Sequence, residues 1–247
     1  MFLSFAGLRP YSADFAVIQA MFTLGYTDTL KQSIVALKEA FTVDGHCVID
    51  GFDFDCEEHY IRQDTIVRFS HMLFDLGFMV TFCPYDSSQI EWWQGCMQTL
   101  WEGANAFDGI DNDKSSQRDK LSDREKLGWW NLQCYSGGSG NLGNLQPWID
   151  ALSQVVGGDG SPYLVPGLAP AGEGDVNGDV HCPFGDNSFE SIAAGWKNPK
   201  LGGMFLWRYD PLASAEKQNL CGGTTDLIGQ NTLKHYVRAI NEGLSKG

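Results

Sequence analysis

None of the seven cysteines of the 247-residue chain belongs to a C-x-x-C pair, so the spacing that marks a zinc ligand set or a dithiol redox centre is missing. There is no Asn-x-Ser/Thr sequon and hence no acceptor for an N-linked glycan. No apolar run approaches the roughly 18 to 20 residues needed to cross a bilayer, and Met1 to Gly7 has neither the basic start nor the length of a signal peptide. Positive charge is scarce as well, with 17 Lys and Arg against 31 Asp and Glu and a net charge of −14. Such a field offers no basic stripe for phosphates, which argues against nucleic acid and against an anionic membrane surface as partners. A neutral or cationic substrate suits it better. The scattered cysteines, Cys47, Cys56, Cys83, Cys96, Cys134, Cys182 and Cys221, read mostly as small core hydrophobes, and their odd number leaves at least one thiol unpaired.

What is present is enough apolar material, 43% of the residues, for one large core. Short apolar runs alternate with longer segments of helical period, which predicts β/α units and a parallel sheet. The strand-like runs are Phe2 to Ala6, Cys47 to Phe54, Phe78 to Cys83, Trp129 to Tyr135, Tyr163 to Leu168 and Met204 to Trp207. Helical spacing appears in Thr27 to Phe41, with Asp28 as its expected N-cap, and in Tyr60 to Leu76, which Gly77 should stop. Pro147 to Val156 and Leu233 to Leu244 read as two more helices. Two stretches, Asp108 to Lys126 and Ala171 to Asp186, read as surface loops that follow strands. With no internal repeat and no linker of changed composition, residues 1–247 read as a single domain.

The most informative run is Asp50-Gly51-Phe52-Asp53-Phe54-Asp55-Cys56-Glu57. Strand side chains alternate faces, so Asp53, Asp55 and Glu57 share one face while Phe52, Phe54 and Cys56 share the other. Neighbours at i and i+2 lie about 6.5 to 7 Å apart, so the three carboxyls can hydrogen-bond and share a proton. Like charges so close cannot all ionise cheaply, and at least one should hold its proton to higher pH, as a general acid requires. The apolar partners and the lead-in Val48-Ile49 argue against a solvated edge, where unpaired charge would be cheap. A calcium loop of EF-hand type fails, because neither Asp53 nor Asp55 is followed by Gly at the sixth position and Glu at the twelfth.

These residues carry a resemblance. Asp50 to Glu57 fits the D-x-x-D-x-D-x-E signature of family 18 glycoside hydrolases, and Gly51-Phe52-Asp53-Phe54-Asp55-Cys56-Glu57 looks most like the class III chitinases. Phe2-Leu3-Ser4-Phe5-Ala6-Gly7 is similar to the family's Ser-x-Gly-Gly strand end, with Ala6 in place of the first Gly. Asn131-Leu132-Gln133-Cys134-Tyr135 resembles its Gln-x-Tyr strand, and Gly202-Gly203-Met204-Phe205-Leu206-Trp207 resembles its last strand with a sugar-stacking Trp. Departures from the pattern are Ala6 itself and Ser136-Gly137-Gly138, where polar and proline residues are usual in class III enzymes.

The resemblance implies an α/β fold of the (β/α)₈ TIM-type barrel. It also implies retaining, substrate-assisted hydrolysis of β-1,4-linked N-acetylglucosamine, in which the sugar's 2-acetamido oxygen attacks C1 and no protein nucleophile is needed. By carry-over, Glu57 is the general acid, Asp55 holds the acetamido N–H and buffers positive charge, and Asp53 shares a proton with Asp55. Tyr135 donates to the acetamido carbonyl, Gln133 binds polar substrate atoms, and Trp207 stacks on a pyranose, with barrel core as its structural alternative. No cofactor and no metal are implied. The partner is an N-acetylglucosamine oligosaccharide, and the family setting is extracellular. Two alternatives share the motif: an endo-β-N-acetylglucosaminidase acting on N-glycans, and a chitinase-like lectin that binds without cutting. Trp92, Trp93 and Trp101 fit either a sugar groove or helix packing, and His59 reads as an exposed first-turn residue beside Glu57. Asp108 to Asp113 echoes the acidic signature in a polar loop.

Only six strand-like runs are legible, against the eight of a closed barrel. By the resemblance they correspond to strands three to eight, which leads to the expectation of an incomplete barrel. On that reading the chain starts inside a longer protein, or its first strand is paired from another chain or left open, and binding of long oligomers is weakened.

Overall fold

The computed structural model describes residues 1–6, 13–58, 60–103, 123–171, 180–196, 200–207, 221 and 233–246. The chain divides into two compact units, residues 1–84 with 89–129 and residues 85–88 with 130–247.

In the first unit three parallel strands, β1 (Phe2–Ala6), β4 (Gly51–Asp55) and β5 (Met79–Phe82), lie side by side with β4 in the middle. Helices α1 (Asp14–Thr23), α2 (Thr27–Ala40), α3 (Gln63–Asp75), α4 (Ile90–Trp101) and the single turn α5 (Asp123–Lys126) complete it. The aromatic face of β4 forms the core. Phe52 and Phe54 are fully buried, and the Phe54 ring lies 5.4 Å from both Phe15 of α1 and Phe69 of α3. Burial of each such side chain contributes roughly 1.5 to 3 kcal/mol. Two lysines finish α3: Lys126 Nζ donates to the Phe74 carbonyl at 2.8 Å and Lys38 Nζ to that of Leu76 at 2.7 Å, satisfying carbonyls that the helix end leaves open.

Several boundaries differ from the sequence reading. The run from Cys47 to Phe54 is not one strand. β2 (Thr42–Val43) and β3 (His46–Cys47) form a short antiparallel hairpin across Asp44-Gly45, both at positive φ, as a two-residue turn of this type demands. Asp28 does not cap α2; it lies in the first turn, after Tyr26, which makes no side-chain cap. Tyr60 stands at φ 71° and is 95% exposed, so α3 starts later, at Gln63. Gly77, at φ 83°, follows α3 as expected. Of the tryptophans, Trp93 is buried and stands 5.1 Å from Phe82, so its role is packing.

The second unit is also parallel. β6 (Leu127–Gln133), which the unit boundary crosses after Trp129, pairs with β7 (Leu164–Pro170), and β7 pairs with β8 (Val180–His181) and β9 (Phe205–Leu206). Helices α6 (Gln146–Val156) and α7 (Phe189–Gly195) and a last helix, Leu233–Lys246, belong to it. β8 corrects the reading of Ala171 to Asp186 as loop throughout; a two-residue strand in a Gly/Asp-rich stretch carries too little pattern to be seen. The Tyr236 hydroxyl ties it in place, accepting from Ala171 N–H and donating to the His181 carbonyl, both at 3.1 Å. Residues 104–122 and 172–179, the greater part of the two expected loops, lie outside the described residues. The fold is thus α/β with parallel strands in both units. Among the described residues no helix is long and apolar enough to cross a membrane.

The cysteines split in a way the sequence does not reveal. Cys182 and Cys221 form a disulfide, and the other five are free, all buried but Cys47. Burial pushes the thiols of Cys96 and Cys134 well up. Since the thiolate is the reactive form, a native-state titration with an aromatic disulfide at pH 8 should release about one thiol quickly, from Cys47, and all five only after unfolding. Two or more fast thiols would contradict the buried placement.

Candidate active site

The candidate acids belong to the first unit. β4 presents Asp53 and Asp55 on the face opposite its phenylalanines, and Glu57 follows two residues beyond the strand end. Asp53 is half-buried, level with Ser4 of β1 and Thr81 of β5, and accepts a 2.5 Å hydrogen bond from the Thr81 hydroxyl at Oδ1. Asp55 is level with Ala6 and only 2% exposed. Glu57 is half-buried. The arrangement follows from period 2: the same alternation that sends the Phe52 and Phe54 rings and the Cys56 thiol into the core sends the carboxyls to the other face. Gly51 is needed at the start of β4, where a Cβ would collide with the Met79 carbonyl and the Phe2 ring.

Behind the acids, Cys56 is buried. Its thiol is pushed up to about 12, by burial first, then by the charge of Glu58, with Asp55 and Glu57 adding to it. Glu58 has a role that no sequence signal announces: its carboxylate accepts from the backbone N–H of Phe15 at 3.1 Å and of Ala16 at 2.8 Å. It therefore caps the N-terminus of α1, where free N–H groups and the helix dipole favour a carboxylate. Gln19 on the same helix accepts from Arg62 N–H at 2.9 Å and from the Thr65 hydroxyl at 3.0 Å. The chain that follows Glu57 is thus tied to α1 at Glu58 and again at Arg62 and Thr65.

Gln133, Tyr135 and Trp207 belong to the second unit. Gln133 ends β6 and is buried, and Tyr135, 1% exposed, follows it. The Tyr135 ring stacks on Trp207 with centroids 5.2 Å apart and an 18° interplanar angle, and meets Phe205 edge-on. Trp207 is half-buried, and its backbone N–H donates to the Leu168 carbonyl at 3.0 Å. One face of Trp207 is therefore taken by Tyr135. The structure brings Asp53, Asp55 and Glu57 together on one segment and Tyr135 and Trp207 together in one stack.

A further residue organises this second set. Asn141, 4% exposed, donates from Nδ2 to the carbonyls of Gln133 (2.9 Å) and Tyr85 (2.6 Å) and accepts at Oδ1 from Trp148 Nε1 (2.9 Å). Nothing in its glycine-rich surroundings marks it in the sequence. Thr81 was equally hidden, because its link to Asp53 depends on strand register. His59 and Asp108 to Asp113 lie outside the described residues. Among the described residues no group of three or more His, Cys, Asp or Glu is arranged to hold a metal ion. Comparison with known proteins gave no match: no family model, no curated protein and no solved structure corresponds to this chain.

Proposed function

We propose that this protein is a glycoside hydrolase of the family 18 type, cutting β-1,4-linked N-acetylglucosamine glycans with retention through substrate assistance. The observation that carries the reading is the acidic strand: Asp53 and Asp55 on one face of a buried strand, Glu57 just past its end, and a wholly aromatic face behind them. The likeness of Asp50 to Glu57 to the family signature supports it. So does the parallel α/β fold, which we read as an incomplete (β/α)₈ TIM-type barrel, a fold whose chemistry sits at strand C-terminal ends.

In this mechanism Glu57 protonates the glycosidic oxygen and the substrate's 2-acetamido oxygen closes on C1 to give an oxazolinium ion. Asp55 accepts the acetamido N–H and offsets the positive charge. Asp53, held by Thr81, takes up a shared proton when Asp55 is ionised. Tyr135, Gln133 and Trp207 of the second unit keep the sugar-binding roles that the resemblance implies.

The reaction is tested by incubating the protein with chitin oligomers, with an N-glycan and with cellulose oligomers. Chitin oligomers should be cut and cellulose oligomers, which lack the 2-acetamido group, should not. A thiazoline mimic of the oxazoline should inhibit far better than free N-acetylglucosamine, since it resembles the reactive intermediate. Cleavage of cellulose, or indifference to the thiazoline, would overturn substrate assistance; cleavage confined to the N-glycan would move the substrate to the chitobiose core, and binding of chitin oligomers without any cleavage would make the protein a lectin.

A further inference from the structure

The second unit holds a cavity of about 270 Å³ between the Tyr85–Ser87 turn and the glycine-rich segment from Ser136 to Asn144, lined also by Pro147 and Trp148. It opens on the chain that directly follows Gln133 and Tyr135, at the C-terminal end of β6. Its polar side chains are Asp86, whose Oδ1 accepts from Ser88 N–H at 2.8 Å, Ser87, Asn144, the half-buried Tyr85 and the buried Asn141. Among the described residues no lysine, arginine or histidine lines it, so a phosphate or carboxylate meets no counter-charge from them, and the polar lining does not suit a hydrocarbon ligand.

The walls are built rather than incidental. Asn141 holds the Tyr85 and Gln133 carbonyls and the Trp148 indole with three hydrogen bonds, and its own carbonyl accepts from Asn144 N–H at 3.1 Å. Gly138 lies so close to the Gln133 carbonyl that any Cβ would collide with it, and Ser136 takes φ 51° to start the segment. A preformed cavity spares the ordering cost that binding otherwise carries. Its volume falls just below the roughly 300–1,000 Å³ of drug-sized sites, which matches one ring rather than an extended chain.

We propose that this cavity is a binding site for one uncharged sugar ring bearing hydroxyl and acetamido groups, with Asp86 accepting from hydroxyls and Ser87 and Asn144 serving as donors and acceptors. The ligand class rests on the sugar-cleaving reading above. The test uses isotope-labelled protein carrying Glu57→Gln, so that bound sugar stays intact, titrated with tri-N-acetylchitotriose and followed by amide NMR. Signals of Ser87, Gly140 and Asn144 should move, and adding Asp86→Ala or the cavity-blocking Ser87→Trp should each weaken binding about tenfold, or about 1.4 kcal/mol. Signals that stay still, or two folded variants that bind as tightly as their parent, would overturn the site. Hydrolysis by the unaltered protein reads the reaction alone: oligomers cut without shifts at this turn sink the site and leave the reaction, whereas shifts without cutting sink the reaction and leave the site.

Discussion

Glu57→Gln is expected to reduce hydrolysis of chitin oligomers by at least the 10²- to 10⁴-fold typical of a lost general acid, with sugar binding and melting temperature nearly unchanged. The amide keeps the shape of the carboxyl and removes only the transferable proton. Glu57 is half-buried and lies beyond the strand end, outside the Phe52–Phe54 core, so a loss of rate at an unchanged melting temperature reads as chemistry. Steady-state rates with a chromogenic oligomer, set beside a calorimetric binding curve, make the comparison. A variant that keeps a few tenths of the rate would remove Glu57 from the acid role and leave Asp55 or Glu58 to be examined. Glu58→Gln is the natural control, because Glu58 is engaged with the Phe15 and Ala16 N–H groups. It should cost stability, roughly the 0.5 to 2 kcal/mol of a lost helix cap, more than chemistry.

Asp55→Asn should lower the rate by a similar 10²- to 10⁴-fold, for a different reason. In the proposed mechanism Asp55 supplies negative charge to an oxazolinium that forms only during reaction, and an amide cannot. The effect on stability should be small or favourable, since Asp55 is 2% exposed and close in sequence to Asp53 and Glu57, and removing one of several like charges relieves repulsion. A loss of rate together with no loss of melting temperature separates this from damage to the core. Phe54→Ala, one residue away on the opposite face, should do the reverse and destabilise by about 3 to 5 kcal/mol. An unchanged rate in Asp55→Asn would take Asp55 out of the mechanism.

The acidic strand was legible in the sequence because period 2 and the Phe/Asp alternation coincide there, and the structure buries Phe52, Phe54 and Cys56 on the face opposite Asp53 and Asp55, as that pattern requires. α3 was legible for a similar reason, with a clear apolar face and a glycine stop. α1 was not: Phe15, Ile18 and Phe22 are buried but Val17 is 55% exposed, so apolar residues fall on several sides and no period stands out. The hairpin at Asp44-Gly45 was masked by the apolar run that follows it. Links between distant parts of the chain could not be read at all. Glu58 reaches α1 across 42 to 43 residues, Cys182 finds Cys221 across 39, and Asn141 draws Tyr85 and Gln133 to itself. Each of these depends on packing, which spacing along a single sequence does not encode. The functional roles rest on the motif and on the placement of the acids, and they stand or fall by chemistry.

That chemistry is most directly read in the anomer of the first product. Proton NMR of a chitin oligomer, recorded within minutes of adding enzyme and before mutarotation, should show the β anomer at the new reducing end, because two displacements at C1, first by the acetamido oxygen and then by water, restore the starting configuration. The α anomer appearing first would mean a single inversion at C1, and the account built on Asp53, Asp55 and Glu57 would be wrong.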